Sequence, residues 1–384
     1  MGRLFKTHPL TVFRAVKSDQ GVLDIGDRSY DKLARVAFSP IGPESGSVEH
    51  SFGAATFENY RSTNFGPANT EFDEYIVFSL RADERKVPAA ALNKEFEDAV
   101  DAELERNRDQ GKNFVSRERK KEIKEQVKLR MLAHMPPVPK VVDVIWNTKT
   151  DLVFVTDKSK TALTRVENVF NAAFGPEYTL APFELCDMLP MVEDIASRSE
   201  FVRGFLTWLW KERASGNDYH VYDTNFVAYI EDKITIADAH ESIAASVSGE
   251  AEGEFMEIIQ GVQSGKQVVQ AGVSFERYVD EGVEKLAYMD LLGESLPSIN
   301  SVTIPPVTHL DAEDVAGAML IQIGNIEEAF GMLQHLIVHY VEQVGHDFGS
   351  FQSLRECLLG LAQEGTSVTV SCGDDSVTIK RKAA

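Results

Sequence analysis

A single proline in Val87-Pro88 and the proline cluster Pro136-Pro137-Val138-Pro139 bracket a stretch rich in helix-forming residues, and this bracket constrains the fold more than any other feature of the chain. Proline lacks the backbone donor and disfavours helix in the residue before it, so a helix can start at Pro88 but none can run through 136–139. From Pro88 to about Arg108 the composition is acidic and Ala/Leu/Glu-rich; from Ser116 to about His134 it is basic. Asp109-Gln110-Gly111-Lys112-Asn113 supplies a turn between them. The pattern predicts a helical hairpin that projects from a body of another kind.

The flanking segments predict that body to be α+β. Residues 10–16 read as a strand and 27–36 as a helix, while 43–72, rich in Gly, Ser, Asn and Pro, read as a long loop or hairpin before a strand at 75–80. Beyond the prolines, 141–146 and 151–155 read as strands and 159–174 as a helix ending at Gly175. A buried helix over 201–213 carries Trp208 and Trp210. Strands near 226–230, 233–236, 268–275 and 284–288, helices near 253–262 and 311–344, and a C-terminal hairpin around Gly373-Asp374-Asp375 complete the expectation. The fold class is α+β: a mixed sheet-and-helix body with an inserted helical hairpin.

Charge is distributed unevenly. The 384 residues carry a formal charge of −21, so the long-range field repels polyanions and excludes a protein that coats nucleic acid or anionic membrane with its whole surface. Yet Lys112 to Lys140 holds nine basic and three acidic residues, +6 against −27 for the remainder. Arg117, Lys121, Lys124 and Lys128 recur at i, i+4, i+7 and i+11, which places them in one stripe of a helix face. Ile123, Val127 and Met131 occupy another sector, available to pack on the acidic helix. Such a stripe can follow a phosphate backbone without reading bases. The same charges can equally serve only to solvate the helix, with Glu118–Lys121 and Glu125–Lys128 as i, i+3 pairs.

Catalytic signatures are weak. Gly261-Val-Gln-Ser-Gly265-Lys266-Gln267 has one residue too few between its glycines for a phosphate loop, and Gln267 stands where Ser or Thr would hold magnesium; the stretch reads as a helix C-cap. His335 and His339 have ligand spacing but no completing carboxylate, and read as packing residues. Glu122-Ile123-Lys124 matches half of a nuclease motif that belongs on a strand, not on a basic helix. Cys186, Cys357 and Cys372 are too scattered for a disulfide framework or thiolate zinc site. No cofactor or metal is expected. Without an apolar leader or spanning segment, the chain is expected to be cytoplasmic and to have no membrane partner.

The order of segments resembles the recombination-associated protein RdgC family over about residues 4 to 345. The resemblance rests on Phe5-Lys6 with Val12-Phe13-Arg14, the helix end Leu33 to Pro40, Val87-Pro88 and Lys120 to Val127. It continues through Ile145-Trp146, Leu152 to Val155, Ile258-Ile259 with Ser264 to Val269, and Phe205 to Trp210, the last similar to a longer branch of the family. It implies a ring-forming homodimer lined with basic residues that encircles double-stranded DNA with little sequence preference. It also implies a nucleoid-associated, non-enzymatic role in restraining RecA-type recombination by occupying duplex. The matching division is a central domain (1–86 and 138–182), a helical tip domain (87–137), a base domain (183–345) and a C-terminal extension with a β-hairpin (346–384). Two positions depart from the compact members: Met135-Pro136 stand where an aromatic follows the tip helix, and Ser248-Gly249-Glu250 where a Lys-Gln pair meets it across the gate.

The expected DNA contacts are Arg117, Lys121, Lys124 and Lys128, with Lys112, Arg130 and Lys266 as secondary ones. Two other readings stand beside this: an acidic interaction module or DNA mimic that captures a recombination protein, and a metal-dependent nuclease.

Overall fold

The computed structural model describes residues 9–18, 28–42, 48–109, 112–175, 177–188, 195–214, 219–221, 226–237, 245–247, 266–279, 282–293, 299–306, 315–344, 367–372 and 375–380. In chain order its elements are β1 (Pro9–Lys17), α1 (Ser29–Arg35), β2 (His50–Ala55), β3 (Glu71–Phe72), β4 (Tyr75–Glu84), α2 (Ala89–Asp109) and α3 (Arg117–His134). Next come β5 (Val138–Asn147), β6 (Leu152–Val155), α4 (Lys160–Phe174), β7 (Tyr178–Pro182), α5 (Ile195–Ala214), β8 (Tyr219–Val221), β9 (Phe226–Ala237) and β10 (Ala245–Val247). The remainder is β11 (Gln267–Val279), β12 (Gly282–Leu292), β13 (Ile299–Thr303), α6 (Val315–Val344), β14 (Ser367–Cys372) and β15 (Asp375–Lys380). The protein is therefore mixed α+β with antiparallel sheets. Two compact units divide it, one holding residues 17–149 and 161–179, the other 3–16, 150–160 and 180–384.

In the first unit β4 is the central strand, with β2 on one side and β5 on the other, all antiparallel. The β4–β5 register runs from Tyr75 opposite Asn147 to Glu84 opposite Val138. The chain therefore leaves this ladder after Glu84 and rejoins it at the neighbouring position, and α2 and α3 fill the excursion. The spacing of Ala162, Val166, Val169, Phe170, Ala173 and Phe174 turns one face of α4 into the core. There the Trp146 ring meets Phe170, Phe174 and Tyr178 edge-on, at centroid distances of 5.3, 5.3 and 4.9 Å. Ser79 donates a buried hydrogen bond of 2.7 Å to Asp143 across the β4–β5 pair.

Strand β2 lies in a stretch that the sequence presents as loop or hairpin. Its His-Ser-Phe-Gly-Ala-Ala lacks β-branched residues, and it is a strand because of tertiary contact. Gly53 passes so close to another segment that a Cβ there would lie 2.6 Å from the Phe38 Cα. Ala37 and Ala54 form a parallel bridge beside it.

The second unit orders its strands β10-β9-β11-β12-β13-β1-β6, again antiparallel, with β8 beside β9. The two short strands read from the sequence at 226–230 and 233–236 are one continuous β9. The charged Glu231-Asp232-Lys233 between them is absorbed where the β9–β11 register shifts, with Ile230 opposite Val273 and Ile234 opposite Ala271. Helix α5 packs on β11 and α6 on β12. Between the helices, the Tyr340 ring stands 5.7 Å from Phe201 and Phe205 and 5.4 Å from Trp208. Thr207 accepts from the Val268 backbone at 2.9 Å and ties α5 to the edge of β11. The expected C-terminal hairpin is present as β14 paired with β15. The helix read at 253–262 and the Gly261–Gly265 stretch lie outside the described residues, as does Ser248-Gly249-Glu250. None of the described helices is long and apolar enough to cross a membrane.

Candidate nucleic-acid interface

The basic helix α3 starts where Ser116 caps it, its hydroxyl accepting from the Arg119 N–H at 3.2 Å. Ile123 and Val127 are buried with Val115 in a seam against Leu92, Phe96, Ala99, Val100 and Leu104 of α2, and Met131 extends the seam, as the sequence spacing requires. Helix α2 has no fully buried residue, so this seam is the side on which it is covered. Two cross-helix ion pairs flank the contact, Arg119 with Glu103 at 2.8 Å and Arg130 with Glu95 at 2.9 Å. The Glu103 carboxylate pushes the Arg119 guanidinium above its ordinary pKa, with Glu122 adding to the effect. Both arginines are thereby neutralised within the hairpin.

The four cations of the expected stripe share one sector of α3 but differ in circumstance. Lys128, toward the C-terminal end, makes a 2.6 Å ion pair with Glu49, the residue preceding β2. That hydrogen bond holds the Glu49 carboxyl below the usual carboxylate value and raises the Lys128 ammonium. Lys124 sits over the Phe96 ring, 5.7 Å from its centroid. Arg117 and Lys121 are exposed and make no ion pair among the described residues, and Lys120 and Lys112 share that condition. Arg130 belongs to a different sector, facing Glu95. Lys266 is half-buried immediately before β11, in the other unit.

Unpaired cations therefore gather in the N-terminal part of α3 and the loop before it. This position is electrostatically unusual, because the positive end of a helix dipole favours acidic residues and only Glu118 is acidic in the first turn. The arrangement places cations where an anion would relieve both the dipole and their mutual repulsion. Glu122 accepts from Arg119 at 2.9 Å, and the His339 ring lies 6.1 Å from Trp208. Among the described residues no group of three or more His, Cys, Asp or Glu side chains is arranged to hold a metal ion. One surface residue escaped the sequence reading. Phe114, just past the predicted turn, is 68% exposed.

Fold and charge define an α+β protein whose sheet carries an excursion of two helices, cationic on the returning helix. Residues 25–191, which contain that excursion, match the family model RdgC, described as "Putative exonuclease, RdgC". Over this stretch the chain is similar to the RdgC family. No curated protein matches the chain.

Proposed function

We propose that the protein binds double-stranded DNA without sequence preference, as a homodimeric ring that occupies duplex and restrains RecA-type recombination in the nucleoid. The likeness of residues 25–191 to the RdgC family supports a recombination-associated DNA-binding role. The observation that carries the reading is the separation of charge within the hairpin. Arg119, Lys128 and Arg130 are spent on carboxylates, whereas Arg117, Lys120 and Lys121 are exposed and have no such partner among the described residues, in a chain of net −21. A repulsive exterior with a local cationic surface suits a protein that must not coat every nucleic acid it meets, yet grips a duplex once engaged.

Light scattering combined with retention on linear and covalently closed duplex tests this. A ring predicts twice the protomer mass, loss from linear DNA by sliding off free ends, and persistence on the closed circle. Equal loss from both, or affinity that is flat in salt, overturns it. The description of the matching family favours one other reading, exonuclease action, in which case Mg²⁺-dependent shortening of linear duplex would be abolished by Glu122→Ala. We hold the protein to be a binder and not an enzyme, so that incubation leaves the DNA intact.

A further inference from the structure

We infer that Phe114 is a stacking residue, and that the hairpin end it occupies recognises an interruption in the base stack of duplex DNA, such as a gap or a junction with single strand. This rests on the DNA-binding reading and adds the feature of the DNA that the site would read.

The inference starts from how firmly the loop is held. Asn107, in the last turn of α2, accepts at its backbone carbonyl from the Lys112 N–H at 2.8 Å. Its side-chain amide donates to the Phe114 carbonyl at 3.0 Å. The next residue, Val115, is buried in the interhelical seam with Ile123 and Val127. Ser116 then caps α3. Val115 is thus anchored inward while its neighbour Phe114 stays outward. The ring is 68% exposed, the most exposed large apolar side chain among the described residues. A phenyl group left in water forfeits the stabilisation it would gain by burial, and here several contacts fix it in that exposed position.

The surroundings select the partner. Lys112, Arg117, Lys120 and Lys121 lie within seven positions of Phe114, and all are exposed without an ion pair among the described residues. An exposed aromatic within a few residues of several cations that lack an ion pair among the described residues matches a polyanion that also offers flat apolar faces, which describes a nucleic acid with an accessible base. Continuous duplex hides its base faces, and wedging a side chain between intact steps incurs the unstacking energy; at a gap or junction the stack is already open. The α2 helix, at 1.5 Å per residue, sets this ring about 30 Å along the hairpin from the sheet. It therefore probes DNA well away from the β4–β5 ladder.

The test uses the full chain with two short duplexes of the same sequence, one continuous and one with a single-nucleotide gap and 2-aminopurine opposite it. The wild type should bind the gapped duplex roughly ten-fold more tightly and alter the 2-aminopurine fluorescence, in line with the usual value of one base–aromatic stack. Phe114→Ala should lose that preference and the fluorescence change while binding continuous duplex as before, and Phe114→Tyr should keep both. Equal wild-type affinity for the two duplexes overturns the inference, as does a Phe114→Ala variant that retains the preference. A change in particle mass on Phe114→Ala without loss of preference assigns the ring to contact between copies of the chain, and also overturns it. Failure to bind either duplex instead sinks the DNA-binding reading itself.

Discussion

Replacing Arg117 and Lys121 by alanine should change the salt dependence of DNA binding far more than replacing Lys128, although all three occupy the same sector of α3. Each phosphate neutralised on a duplex contributes roughly 0.9 to the slope of log affinity against log salt. Arg117 and Lys121 have no ion pair among the described residues, so their double replacement should lower the slope by about 1.8 per protomer, or about 3.6 where both copies in a dimer engage DNA. Between 50 and 200 mM salt, a slope change of about 1.8 alters the affinity ratio about twelve-fold. Lys128 already satisfies Glu49 at 2.6 Å. A phosphate must displace that carboxylate to gain the ammonium, so Lys128→Ala should shift the slope by clearly less than either of the other two. Fluorescence anisotropy with a labelled duplex across a series of KCl concentrations measures all of these slopes. An unchanged slope in the double variant, or equal losses at Arg117, Lys121 and Lys128, would refute the reasoning.

Ile123→Ala should loosen the hairpin by about 2–4 kcal/mol, since its side chain is buried in the only seam holding α2 to α3 through apolar contact among the described residues. Faster hydrogen exchange confined to the two helices would show it, whereas unaltered protection would count against the seam. The Glu49–Lys128 pair predicts a pH response of definite sign. The folded-state carboxyl lies below its reference value of 4.5, so the pair stabilises fully above that pH and its contribution is lost as pH falls through the depressed value. Carbon-detected NMR titration of Glu49 should place its midpoint below the reference, and Lys128→Met should bring it back up.

The sequence disclosed the parts of the fold that depend on local chemistry. The paired helices were legible because prolines, a serine cap and a period of three to four apolar residues all act within a few positions of one another. The Trp146 core strand and the amphipathic α4 were legible for the same reason. Strand β2 was not, since Ser51, Gly53, Ala54 and Ala55 acquire strand geometry from pairing with β4 and from the distant backbone at Ala37 and Phe38. The break assigned within β9 was an error of the same kind: Glu231-Asp232-Lys233 looks like a turn until β11 supplies a partner whose register can shift. At the candidate site, helical periodicity placed the four stripe cations on one sector of α3. It could not show that Glu49, far away in sequence, engages one of them. Nor could it show Phe114, since exposure of a single aromatic depends on which neighbour the core claims, here Val115.

The excursion that carries the site departs and returns at a single rung, Glu84 opposite Val138. Every other rung of β4 and β5 is indifferent to what happens beyond it. Whole helical turns could be added to or deleted from both arms together without altering one sheet pairing, and each turn would move the far end by about 5 Å. The reach of the proposed DNA contact is thus free to drift or to be redesigned separately from the scaffold, much as the jib of a crane can be exchanged on an unchanged mast.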